Sequence, residues 1–136
     1  MTVDIAVAAL VRDGEVLMLH RHSRRQAYPD RWALPGGHVE PGESPRHAVG
    51  RECTEELGVQ IHEAYPITMA VNDPNVRMYA FLVTHWTGEP SNTAPEEHDD
   101  LRWFSTDELA NLEHAHPETV SALVRAIQIA DVSSKI

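Results

Sequence analysis

The chain is short of the residues that mark several protein classes. It has one cysteine, which excludes an intrachain disulfide and fits a reducing compartment. No run approaches the roughly 20 apolar residues needed to span a bilayer, so no membrane association is expected. The first ten residues carry no basic leader and read as a strand, so a cytoplasmic protein without a signal peptide is expected. Basic residues are few: 11 Lys and Arg stand against 21 Asp and Glu, a formal net charge of −10. That balance excludes broad binding to duplex nucleic acid, and it means that an anionic phosphate substrate would need intermediary cations. No cysteine pair and no His-Glu-x-x-His helix accompanies the nine histidines. The pairs His20/His22 and His114/His116 therefore read as scattered surface or capping residues, not as a zinc site. There is no internal repeat and no linker.

What is present suits one domain over residues 1–136, with 42% apolar residues for a core. Residues 3–11 read as a strand, Asp13-Gly14 as a two-residue hairpin turn, and residues 15–19 as the return strand. Residues 20–31 form a polar, basic loop carrying Arg21, Arg24, Arg25 and Arg31. Ser44 can cap, and Pro45 can open, a helix that runs to Leu57, with Gly58 just past its end. Residues 60–71 read as an irregular strand, Asn72-Asp73-Pro74-Asn75 as a turn, residues 76–86 as one long strand, and residues 88–98 as a loop. A short strand over 101–104 leads to a capping box at Ser105 and a short helix to about Leu112. Pro117 opens a last helix whose Val120, Leu123, Val124 and Ile127 form a core-facing stripe. Residues 131–136 read as a loose tail. This mixture makes an α+β fold, an α/β/α sandwich around a mixed β-sheet.

The chemistry concentrates at the central helix. Successive helical residues turn about 100°, so Glu52, Glu55 and Glu56 fall within one sector, beside an apolar stripe of Val49, Cys53 and Leu57. Three carboxylates so close repel one another and raise each other's pKa. A hard divalent cation reverses that field. Read alone, the cluster is a solvated acidic face. It is not alone: Gly37, Glu43, Arg51, Glu52, Cys53, Glu55, Glu56, Gly58 and Val59 fill the pattern G-x5-E-x7-R-E-U-x-E-E-x-G-U, with U a bulky apolar residue. This resembles the Nudix box. Its seven fixed residues would meet by chance roughly once in 10⁸ registers, so the match is specific. Cys53 departs from the usual aliphatic residue, and a small buried thiol keeps the packing without touching the chemistry.

The resemblance covers nearly the whole chain and implies a Nudix fold and a metal-dependent hydrolase using Mg²⁺ or Mn²⁺. It places Glu52, Glu55 and Glu56 as catalytic metal ligands, Glu52 being favoured as general base, with the Gly36 carbonyl as a further ligand. Trp32-Ala33-Leu34-Pro35-Gly36-Gly37 matches the usual approach to the box. Gly37, Glu43, Arg51 and Gly58 are expected to be structural, Glu43 and Arg51 as an ion pair that braces the loop against the helix. Glu97, six residues before Trp103, matches the extra metal ligand of MutT-like members, with Glu96 its competitor. Ala94 stands where some relatives have a ligand glutamate. Arg21, Arg24 and Trp32 are expected to contact substrate, although each arginine taken singly reads equally as a solvated charge. The expected substrate is a small nucleotide, a standard or oxidised nucleoside triphosphate cut to the monophosphate and pyrophosphate. ADP-ribose or another nucleotide sugar is the alternative, suggested by Pro74 fifteen residues after Val59. A non-catalytic nucleotide sensor is the alternative of another class, and the intact box argues against it. A homodimer is left open.

Overall fold

The computed structural model describes the backbone of residues 2–134 and the side chains of residues 2–131. Strands β1 (Val3–Arg12) and β2 (Glu15–Arg21) are joined by Asp13-Gly14, both at positive φ. Short strands β3 (Trp32–Ala33) and β4 (Gly36–His38) precede helix α1 (Pro45–Leu57). Then come β5 (Gln60–Ile61), β6 (Tyr65–Ile67), β7 (Val76–Val83), β8 (Trp86–Thr87) and β9 (His98–Ser105). Helix α2 (Thr106–Leu109), a 3₁₀ turn (Pro117–Thr119) and α3 (Val120–Ser134) close the chain.

β1 is apolar at consecutive positions because both of its faces are covered. Ala6, Ala8 and Leu10 face a cluster with Leu17, Leu19 and the α1 residues Ala48, Val49, Cys53 and Leu57. Val7, Ala9 and Val11 face a cluster with Phe104 and the α3 residues Leu123, Ala126 and Ile127. The sheet is thus sandwiched between α1 and α3. It is mixed: β1 pairs with β7 in parallel over eight residue pairs, while β2, β4, β6 and β9 pair antiparallel.

One irregularity creates the site. β1 and β2 pair at Val11–Val16 and Arg12–Glu15, next to the turn. Beyond that, β1 takes β4 as its partner and β2 takes β3, while β9 runs along the other edge of β2 over its whole length. The hairpin therefore splays, and the two half-sheets leave a wedge of space between them.

Three expectations need correction. The long strand over 76–86 ends at Val83; Trp86 and Thr87 pair instead with β5 in a separate ribbon, and the break falls at the two successive polar residues Thr84 and His85. The strand expected over 101–104 is the longer β9, held by its ladder to β2. The tail expected from residue 131 is helical through Ser134; Lys135 and Ile136 lie outside the described residues. The α1 bounds agree with expectation: Ser44 Oγ accepts from the His47 N–H at 3.1 Å, and Gly58 sits at φ 70° with its N–H donating to Thr54 O.

Candidate active site

α1 is seated by its apolar stripe, with Val49, Cys53 and Leu57 at 0% exposure. Its carboxylates meet β4, where two glycines decide the geometry. Gly36 has φ 150°, and a Cβ there would lie 2.1 Å from Ala6 O, so any side chain would pry β4 from β1. In the position this allows, the Gly36 N–H donates to Glu56 Oε1 at 2.8 Å. At Gly37 a Cβ would lie 2.7 Å from Glu52 Oε1. The missing side chain is what lets the Glu52 carboxylate rest against the backbone.

Arg51 braces the loop before the helix. Its Nε and Nη2 donate to the two oxygens of Glu43 at 2.8 and 3.0 Å, Nη2 also reaches His38 O at 3.1 Å, and Nη1 reaches Glu52 Oε1 at 3.0 Å. The bidentate Arg51 contact, helped by the Glu40 N–H, holds the Glu43 carboxyl down to about 2. A depressed carboxylate pKa contributes stability above its ordinary value, 4.5, and loses it as pH falls through the folded value. The melting-temperature difference between wild type and Glu43→Gln is therefore expected to be full above pH 4.5 and to vanish toward pH 2. A difference that stays constant over that range in thermal melts would show that the ion pair is not what braces the loop.

The loop before β9 is pinned to the end of α1. Helix C-termini leave carbonyls without intrahelical partners. Here Ser91 N–H donates to Leu57 O, Thr93 N–H to Glu56 O, and Thr93 Oγ1 to Glu55 O at 2.7 Å. Asn92 Nδ2 then reaches His98 O at 2.6 Å. This lacing delivers Glu97 to the helix carboxylates: Glu56, Glu97 and His98 each offer a ligand atom within 4.8 Å of the others. Glu96 is exposed and does not line the cavity.

The wedge between the half-sheets is a cavity of about 340 Å³. One end is acidic, with Glu52, Glu56 and Glu97 beside Gly36 and Gly37. The other is apolar, with Met18, Trp32, Leu34, Met69 and Met78. Arg21 and Arg25 also line it. Trp32 is fixed by edge-on contacts with Phe104 and His20, at 4.8 and 5.0 Å between centroids. Arg21 is held by its Nε donating to Ala27 O at 2.9 Å, and burial lowers its pKa.

Burial pushes the Glu56 carboxyl up to about 9, against the opposing pull of the Gly36 N–H. It also raises Glu52, against Arg51. Burial, with Arg25 and Arg21, holds the His98 ring down to about 4, so its 3.7 Å approach to Glu56 is not an ion pair at neutral pH. A divalent cation among these oxygens would restore the ionised carboxylates. The donor set, glutamates on a glycine-lined cradle, fits a hard cation.

Of the residues named from sequence, the fold brings Gly36, Gly37, Glu52, Glu56, Glu97, Arg21 and Trp32 around one cavity. Glu55 and Arg24 are exposed and outside the lining, where Arg25 stands in place of Arg24. The reading of the histidines as surface or capping residues is corrected for His98, which is 3% exposed; His114, 9% exposed, caps the end of α2 through Nε2 at 2.7 Å from Leu109 O. Arg25, named only as one of four loop arginines, lines the cavity, and the enclosure of His98 beside Glu56 was not anticipated. No periodic signal in a loop distinguishes Arg25 from Arg24. The burial of Glu56 did have a signal, since it follows Val49 by seven residues and so falls about 20° from it around the helix.

The NUDIX domain family model matches residues 2–123. The chain is 37% identical over 108 residues to the NAD-capped RNA hydrolase NudC of Stutzerimonas stutzeri, covering 79% of this chain and 38% of that one. It therefore spans well under two thirds of that relative. It is 29% identical to the CTP pyrophosphohydrolase of Escherichia coli over 78% of each chain. Among solved structures, the MutT NUDIX hydrolase of Burkholderia pseudomallei superposes with a TM-score of 0.79 at 31% identity, covering 89% of this chain and 97% of that one.

Proposed function

This chain belongs to the NUDIX family, and from that premise we propose that it is a divalent-metal-dependent hydrolase of a nucleoside triphosphate, standard or oxidised, releasing the nucleoside monophosphate and pyrophosphate. The observation that carries this reading is the two-ended cavity. Its size falls in the range of small-ligand sites. Its apolar end, walled by Trp32 and three methionines, suits a base, and its acidic end suits a cation that carries the phosphates.

Glu52, Glu56 and Glu97, with the Gly36 carbonyl, would hold the metal, while Glu55 lies outside the lining beside Arg51. A bound divalent cation supplies charge neutralisation on the phosphates and a more acidic water. Arg21 and Arg25 orient the phosphate chain, Arg25 from beside Glu97, with Nη1 3.8 Å from its Oε1. Glu52, against Gly37 and open to the cavity, takes the proton from the attacking water as general base. Arg51 keeps the Glu52 carboxylate aimed by its hydrogen bond at 3.0 Å. Pro74, the residue that suggested ADP-ribose, is exposed in its turn and does not line the cavity, so it adds no support to that alternative.

A panel of nucleoside triphosphates, ADP-ribose and nucleotide sugars, incubated with Mg²⁺ and assayed for pyrophosphate and phosphate, tests the reading. Release of pyrophosphate from a triphosphate is the expected result. Turnover of ADP-ribose alone would replace the substrate, and binding without turnover of any compound would favour the sensor.

Glu97 and Glu96 separate in a second assay. Glu97→Gln is expected to raise the Mg²⁺ concentration for half-maximal rate, because the helix carboxylates remain but one ligand is lost. Glu96→Gln is expected to leave it unchanged. The reverse ordering would transfer the ligand to Glu96, and no effect from either would remove this loop from the metal site.

A further inference from the structure

His98, the first residue of β9, is almost wholly enclosed and yet poorly satisfied. Its Nδ1 is buried without a hydrogen-bond partner. Its Nε2 faces Glu56 Oε2 at 3.7 Å, beyond hydrogen-bonding distance. Enclosing a polar ring without partners is costly, so the arrangement calls for a reason. The ring is not free to drift. Its backbone N–H donates to Ala94 O at 3.1 Å, its carbonyl accepts from Asn92, and β9 pairs it with Arg21.

The carboxylates of Glu56 and Glu97 lie with a ring nitrogen inside a 4.8 Å cluster. Two donors 3.7 Å apart are too far to bond each other and well placed to share an ion. With bonds of about 2.1 Å they would subtend roughly 120° at it. We propose that His98 Nε2 is a nitrogen ligand of the cation held by Glu56 and Glu97, the ring proton residing on Nδ1. This rests on the reading that those glutamates hold metal. An imidazole nitrogen is a poor partner for Mg²⁺ and a good one for transition-metal divalent ions. The site is therefore tilted toward Mn²⁺, Co²⁺ or Zn²⁺ relative to an all-oxygen Nudix site.

The test uses the tag-free full chain loaded with Mn²⁺ and pulsed electron paramagnetic resonance, which detects nitrogen bound to the ion. Coupling to one ¹⁴N is expected in wild type. It should vanish in His98→Gln and persist in His20→Gln and His38→Gln. Binding calorimetry of the same variants gives a second readout. His98→Gln should weaken Co²⁺ by at least about tenfold and Mg²⁺ by less than about threefold. Should His98→Gln fail to fold, ¹⁵N resonances of the wild-type histidine rings during Zn²⁺ titration decide: the His98 Nε2 signal moves and saturates with the ion. Bound Mn²⁺ without nitrogen coupling, coupling that survives His98→Gln, or an equal loss for Co²⁺ and Mg²⁺ would each overturn the inference while leaving the glutamate site standing. Absence of any Mn²⁺ binding would overturn both.

Discussion

Removal of divalent metal by EDTA is expected to abolish turnover, and added Mg²⁺ or Mn²⁺ to restore it. The reason lies in the charge balance of the cavity. Three glutamates line the end where a phosphate chain would meet the box, against two arginines. Without a cation the substrate meets the Glu52 and Glu97 carboxylates at close range in a partly desolvated place, and Arg21 and Arg25 do no more than balance them, so nothing offsets the charge of its phosphates. Glu56 is then held protonated, its carboxyl pushed up to about 9 by burial, so the chain alone supplies neither a field that draws phosphate nor an ionised cluster. Full activity in rigorously metal-free enzyme, verified by elemental analysis, would remove the mechanism.

Glu56→Gln should lower kcat by at least about 10²-fold, the scale of deleting a key electrostatic group, with the fold retained. Glutamine keeps the volume of the side chain, and its carbonyl oxygen can still accept the Gly36 N–H now bound at 2.8 Å. What it removes is the hard anionic ligand. Because the buried group is then neutral without needing a proton, thermal stability of the metal-free variant should not fall. A collapse in melting temperature would show that Glu56 is structural. Near-normal rates for both Glu56→Gln and Glu52→Gln on the best substrate would place the chemistry elsewhere.

The sequence yields α1 residue by residue because its limits are set by local chemistry. Ser44, Pro45 and Gly58 each act within one turn of their own position. The Glu43–Arg51 pair is legible for a similar reason, since the helix fixes Arg51 and the loop between is short. The cavity is not legible in that way. Its walls come from five strands, α1 and the connections between them, and its existence depends on where β1 exchanges β2 for β4, which no single strand's pattern encodes. Arg25 and His98 owe their places to that exchange and to the lacing of Asn92 and Thr93 onto the end of α1. The resemblance to MutT-like members points to Glu97 through its spacing to Trp103, but its closeness to Glu56 is not legible.

The two ends of the cavity are carried by different parts of the chain. The carboxylates sit on α1 and on a loop tied to it, over glycines that accept no side chain. The apolar end lies outside the α1 layer, and besides its strand residues it draws on connections that carry Tyr28, Met69 and the residues about His116. Substitutions at the second set can reshape what is admitted while leaving the cutting apparatus intact, whereas almost any change at Gly36 or Gly37 breaks both at once. Lineages built on this plan are therefore free to diverge in diet while inheriting one fixed set of teeth.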